Sequence, residues 1–94
     1  MVIGVCTIEL YLPENHSLKG KRHVVKGVKD KLKSRFNVSV AEIDHLDVWQ
    51  RATIGAVMLN TDHVYVDQEL RKIVNFLESS QYAPYLFDYS IEFL

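Results

Sequence analysis

From Val2 to Leu12 the chain alternates with a period of two, and from Leu18 to Leu32 its apolar residues recur every third or fourth position. The same switch returns after residue 60, and this order of periods constrains the fold more than any single residue does. In the first segment Cys6, Ile8, Leu10 and Leu12 fall on one side, with Val5, Thr7, Glu9 and Tyr11 on the other, which predicts a strand over 2–12. Pro13 ends it, and ENHS at 14–17 is the turn. Ser17 is a good N-cap, because its hydroxyl can accept an orphan amide of the first turn. A helix to about Arg35 follows, with Val24, Val25, Val28 and Leu32, and Leu18 at its start, as the buried stripe. Gly20 and Gly27 each cost that helix about 1 kcal/mol relative to alanine. Gly20 reads as tolerated, and Gly27 is open between tolerance and close approach of another surface. Strands follow at 37–43 and 51–60, joined as a hairpin. Asp62 can cap a helix over 62–80 with Val66, Leu70, Ile73, Val74 and Leu77 inward. Residues 85–93 alternate once more, Tyr85, Phe87, Tyr89, Ile91 and Phe93 against Leu86, Asp88, Ser90 and Glu92.

The order βαββαβ predicts an α+β domain of ferredoxin-like arrangement, a four-stranded antiparallel sheet with two helices on one face. At 94 residues the whole chain, 1–94, is a single domain able to bury its core without staples. Cys6 is the only cysteine, so no disulfide forms within the chain, and its apolar setting marks it as a small core residue. No signal segment is visible and no apolar run nears the ~20 residues of a membrane span, so a cytoplasmic protein is expected. The open sheet face carries apolar residues near the strand ends: Ile3 and Val5, Val57 and Leu59. Such a patch has a cover, and a second copy in a two-fold homodimer is the expected one.

The net charge of −1 hides a division. Residues 17–35 carry eight basic side chains against Asp30 alone, a net +7, and the remainder of the chain is −8. At 100° per residue Lys19, Arg22, Lys26, Lys29 and Lys33 fall within an arc of roughly 80°. With Lys21 they are the candidate nucleic-acid contacts, since a row of cations can neutralise successive phosphates and release counterions. The alternative is a solvated helix face. Single strands could instead stack on the open sheet, as on RNA-recognition motifs, but the aromatic pattern those motifs need is absent from RATIGAVMLN at 51–60. Asp88 and Glu92, near Glu9, would also repel phosphate there, so RNA contact falls to the helix.

The connection AEIDHLDVWQRATIG at 41–55 concentrates polar chemistry. Asp44, His45 and Asp47 offer metal-ligand and general-base atoms, yet they match no metal spacing, and no nucleophile motif or phosphate loop accompanies them. No cofactor or metal is expected. Trp49 and Arg51 suit an interface, with Asp47 and Gln50 beside them. The plainer reading is that Trp49 caps the edge of the core and Arg51 pairs with a hairpin aspartate. His16 either receives an anion or fills its turn, and His23 and His63 read as surface residues.

Three stretches, HSLKGKR at 16–22, RFNVSVAE at 35–42 and DHLDVWQRA at 44–52, resemble the YlxP-like family of small bacterial proteins of unassigned function. The resemblance spans about 40 residues tightly, the rest loosely. That family commonly has glutamate where Gly20 stands, which with Ser17 would complete a capping box. The resemblance implies a ferredoxin-like fold and no established activity. Family members tend to be encoded near translation and ribosome-maturation factors, which implies a role there. The expectation is therefore a non-enzymatic binding module that meets ribosomal RNA or a ribosome-assembly partner through its first helix. The alternatives are a homo-oligomeric interaction domain and a small hydrolase or transferase using residues 44–51.

Overall fold

The computed structural model describes residues 1–94. The elements are β1 (Val2–Tyr11), α1 (Leu18–Arg35), β2 (Ser39–Asp44), β3 (Arg51–Asn60), α2 (His63–Glu78) and β4 (Leu86–Phe93), with a 3-10 turn at Ala83–Tyr85. All strands join one antiparallel sheet in the order β2-β3-β1-β4. Both helices pack on one face, which is the ferredoxin-like α+β fold the periods predict.

Local signals set the boundaries. The Ser17 hydroxyl accepts from the Gly20 amide at 3.0 Å, and Asp62 accepts from the Val64 amide at 3.0 Å. Each satisfies an orphan donor of its helix. α2 stops at Glu78, where the Ser79 hydroxyl donates to the carbonyls of Asn75 and Phe76. β4 starts one residue later than its alternation suggests because Pro84 and Tyr85 belong to the 3-10 turn. No helix is long and apolar enough to cross a membrane.

Cys6, Ile8 and Leu10 of β1, with Ala52, Ile54, Ala56 and Met58 of β3, face the two helices and are buried. Burial pushes the Cys6 thiol up to about 11, away from the thiolate a nucleophile needs. The helix stripe departs from expectation at its start. The buried residues of α1 are Lys21, Val25, Val28 and Leu32, while Leu18 and Val24 are half-buried.

β4 departs as well. Ile91 pairs with Cys6 and Tyr89 with Ile8, on the helix side, and Glu92 and Asp88 pair with Val5 and Glu9 on the open side. A bulge opposite Glu9 and Leu10 then brings Leu86, not Phe87, against Leu10. One extra residue reverses the facing beyond it. Phe87 therefore packs edge-on against Tyr11, 6.5 Å between centroids, and beneath the Arg51 guanidinium.

Gly27 allows a close approach, since a Cβ there would stand 2.1 Å from the Tyr82 hydroxyl oxygen. Gly20 is also more than tolerated: its Cβ would meet Asn15 Oδ1 at 2.2 Å.

Candidate functional site

Two features stand out at the hairpin end of the helix layer: the outer surface of α1 and the β2–β3 connection beside its first turn. On α1, Lys19, Arg22, Lys26 and Lys33 are exposed and Lys29 is half-buried. Lys26 alone in that row has an ion-pair partner, Asp30, at 2.6 Å. The hydrogen bond between them holds the Lys26 ammonium above its usual range and the Asp30 carboxyl below its own. Over the 14 steps from Lys19 to Lys33 the row is about 21 Å long at 1.5 Å per residue. The open sheet face has the opposite character, with Glu9 beside Asp88.

Lys21 does not belong to the row. It is fully buried, so its expected place among the phosphate contacts is corrected. Its position one turn before Val25 turns it inward, toward the sheet. There the ammonium donates to the carbonyls of His45 at 2.7 Å and Leu46 at 3.0 Å. Glu42 Oε2 stands 2.9 Å away as its ion-pair partner, outside hydrogen-bond geometry. A buried ammonium survives only with such company.

The hairpin is held from the other face too. His45 has φ 61°, the left-handed region, and its amide donates to Asp44 Oδ1 at 2.7 Å. Its Nδ1 lies 2.8 Å from Thr53 Oγ1, and the Thr53 hydroxyl donates to Glu9 Oε1. A carboxylate only accepts, so the Thr53 proton points to Glu9 and the imidazole proton sits on Nδ1. Arg51 Nη2 lies 3.6 Å from the second oxygen of Glu9. At the base of the loop, Asn15 Nδ2 donates to the Trp49 carbonyl at 2.6 Å and Gln50 Nε2 to the Asn15 carbonyl at 3.0 Å. The connection is thus fixed from three sides.

These contacts re-sort the expected hairpin residues. Gln50 and Arg51 are engaged within the chain, and Arg51 pairs with Glu9 across the sheet rather than with a hairpin aspartate. Asp47 and Trp49 remain exposed. Trp49 is 47% exposed and is not one of the buried core residues. Asp44, His45 and Asp47 do not converge: the His45 ring meets Thr53, and Asp44 meets a backbone amide. The two largest clefts, about 460 and 430 Å³, lie elsewhere, the first between α2 and β4 and the second beside the β1–α1 turn. His16 is exposed in its turn, and the exposed His63 stacks on Phe93 at 3.9 Å.

Lys21 was recoverable from spacing, because it continues Val25, Val28 and Leu32 by one turn. Thr53 and Glu9 were not, since only the register that sets them opposite each other joins them.

Comparison with known proteins bears on the whole of this arrangement. A family model described as "Protein of unknown function (DUF503)" matches residues 3–89, from β1 into β4, and so includes α1 and the clamped hairpin. The uncharacterized protein YlxP of Bacillus subtilis (strain 168) is 33% identical over 78 residues, covering 83% of this chain and 85% of that protein. With both helices, the hairpin and nearly all of the sheet inside the matched region, this chain belongs to the DUF503, or YlxP-like, family of proteins of unknown function.

Proposed function

We propose that this chain is a binding module that meets the phosphate backbone of a nucleic acid through the outward row of α1. The observation that carries this reading is the lack of partners: Lys19, Arg22, Lys29 and Lys33 form no ion pair, and only Lys26 has one. Like charges at i,i+3 and i,i+4 weaken a helix by tenths of a kcal/mol each, so an unshared row is costly unless something uses it. Ribosomal RNA, or a ribosome-assembly particle in the cytoplasm, is the partner that the family's genomic setting favours. The test is co-sedimentation with ribosomal subunits at low and moderate salt, beside a variant with Lys19, Arg22, Lys26 and Lys29 changed to alanine. Salt-sensitive binding that the variant loses is expected, with the log–log salt slope falling by ~0.7–0.9 for each phosphate contact removed. Binding with equal slope by both proteins, or none at low salt, would make α1 a solvated face.

A second reading concerns the open sheet face. Leu59 is 61% exposed, Ile43 54% and Val57 38%, and Ile3 pairs with Leu59 and Val5 with Val57 across the same end of the sheet. We propose that a second copy covers this patch, leaving both α1 rows outward. Sedimentation as a monomer at micromolar concentration would remove this reading without touching the first.

A further inference from the structure

Trp49 is the only tryptophan, and the hairpin presents it half in water at the head of the basic row. One side-chain amide fixes that location: Asn15 Nδ2 donates both to the Trp49 carbonyl, at 2.6 Å, and to the carbonyl of Ser17, the α1 N-cap, at 2.7 Å. Lys19, the first cation of the row, comes two residues later, and Arg22 three after that. The backbone on either side of Trp49 is held in place. Lys21 grips the carbonyls of His45 and Leu46 from below, and the Leu12 amide donates to the Gln50 carbonyl at 2.8 Å.

An indole half in water on a pinned backbone offers solvent a flat π-surface on a rigid mount. Placed at the end of a line of cations, it has the two parts that single-strand binders combine: charges that follow the backbone and an aromatic face on which a base stacks. A duplex offers the same phosphates but keeps its bases stacked on one another, out of reach of the ring.

We infer that the nucleic acid bound along α1 is single-stranded, with an unpaired base stacked on Trp49 and the adjoining phosphates on Lys19 and Arg22. This rests on the reading of α1 as the phosphate contact and adds Trp49 as the residue that selects unpaired strand over duplex.

Because the chain has one tryptophan, its emission reports this ring alone. The full chain is titrated with labelled single-stranded and duplex oligonucleotides of equal length, as RNA and as DNA, following label anisotropy and tryptophan emission together. Single strands are expected to bind and to quench Trp49, with RNA and DNA alike or RNA alone both meeting the expectation. Trp49→Ala should weaken single-strand binding by roughly tenfold to a hundredfold and leave duplex binding and the salt slope unchanged. Trp49→Phe, which keeps an aromatic face, should retain most of the affinity. If Trp49→Ala binds single strands as tightly as the parent, while the four-site alanine variant of α1 loses them, the stacking role falls and the basic-row reading stands. If neither kind of oligonucleotide binds at low salt, both fall.

Discussion

α1 and α2 lie side by side on the same face of the same sheet, and their outer surfaces could hardly differ more. α2 buries Val66, Leu70, Ile73, Val74 and Leu77, and both of its bases are matched within the helix, Arg71 with Asp67 at 3.0 Å and Lys72 with Glu69 at 2.8 Å. α1 buries three apolar residues and a lysine, and Lys19, Arg22, Lys29, Lys31 and Lys33 have no ion-pair partner. α2 is what this sheet asks of a helix: an apolar stripe and a surface that neutralises itself. The surplus charge of α1 has no such explanation in the fold. The comparison also separates two uses of one residue type within a single helix. Lys21 turns inward to hold a loop, while its neighbours face water.

The largest effect should come from testing that separation directly. Lys21→Met removes the cation from beneath the hairpin and leaves Glu42 and two carbonyls without it. Breaking a buried pair of this kind costs about 3–5 kcal/mol, a large part of a small domain's stability. In urea denaturation, Lys21→Met should lower the midpoint sharply, and Lys72→Met on α2 should lower it far less, since the Lys72 side chain is 65% exposed. Adding Glu42→Leu to Lys21→Met should recover much of the loss, because the stranded carboxylate goes too. Equal midpoints for Lys21→Met and Lys72→Met would show that the two helices use their lysines alike, and the clamp would be wrong.

That prediction marks how far the sequence could be read. The element order, the single sheet and most of the core follow from period alone, because a period of two or of 3.6 decides which side chains share a face before any tertiary contact forms. Residues that depend on pairing between distant segments were out of reach. The relay from His45 through Thr53 to Glu9 joins β1 to β3 by register, and alternation does not encode register. Phe87 was misplaced for a related reason: a bulge is one residue of slip, and nothing in YLFDYSIEF announces it. Lys21 was legible as a stripe position, but its charge argues for solvent until a carboxylate and two carbonyls are found around it.

A mid-sized effect should come from the point where α1 meets the chain leaving α2. Glycine to alanine within a helix ordinarily gains about 1 kcal/mol. At Gly27 the added Cβ would lie 2.1 Å from the hydroxyl oxygen of Tyr82 and 3.0 Å from its ring carbon, and Tyr82 is buried. Gly27→Ala should therefore destabilise, by about 1–3 kcal/mol for an overpacked contact. Tyr82→Phe introduced alongside should restore part of the loss by removing the atom struck. A stabilised Gly27→Ala would mean that Gly27 is merely tolerated and that the two helices differ in surface alone.

The smallest effect concerns the one acid in the row. The Lys26 hydrogen bond, with Lys33 and Lys29 adding to it, holds the Asp30 carboxyl below the usual carboxylate range. A lowered value means that the pairing is present at neutral pH and is lost as pH falls through that value, when Asp30 takes up a proton and releases Lys26. Asp30→Asn makes the released state permanent. Both ends of the pair are exposed, so the unfolding midpoint should scarcely move. Polynucleotide binding should respond instead: one more free cation joins the row, affinity at low salt rises, and the salt slope steepens by up to ~0.7–0.9. The matched change on α2 is Asp67→Asn, which frees Arg71 from its own i,i+4 partner. Salt titrations of the two variants against the same oligonucleotide then ask which helix the phosphates touch. A steeper slope for Asp30→Asn alone assigns them to α1. Equal slopes would mean that the ligand senses only net charge, and the contrast between the helices would have no bearing on what binds.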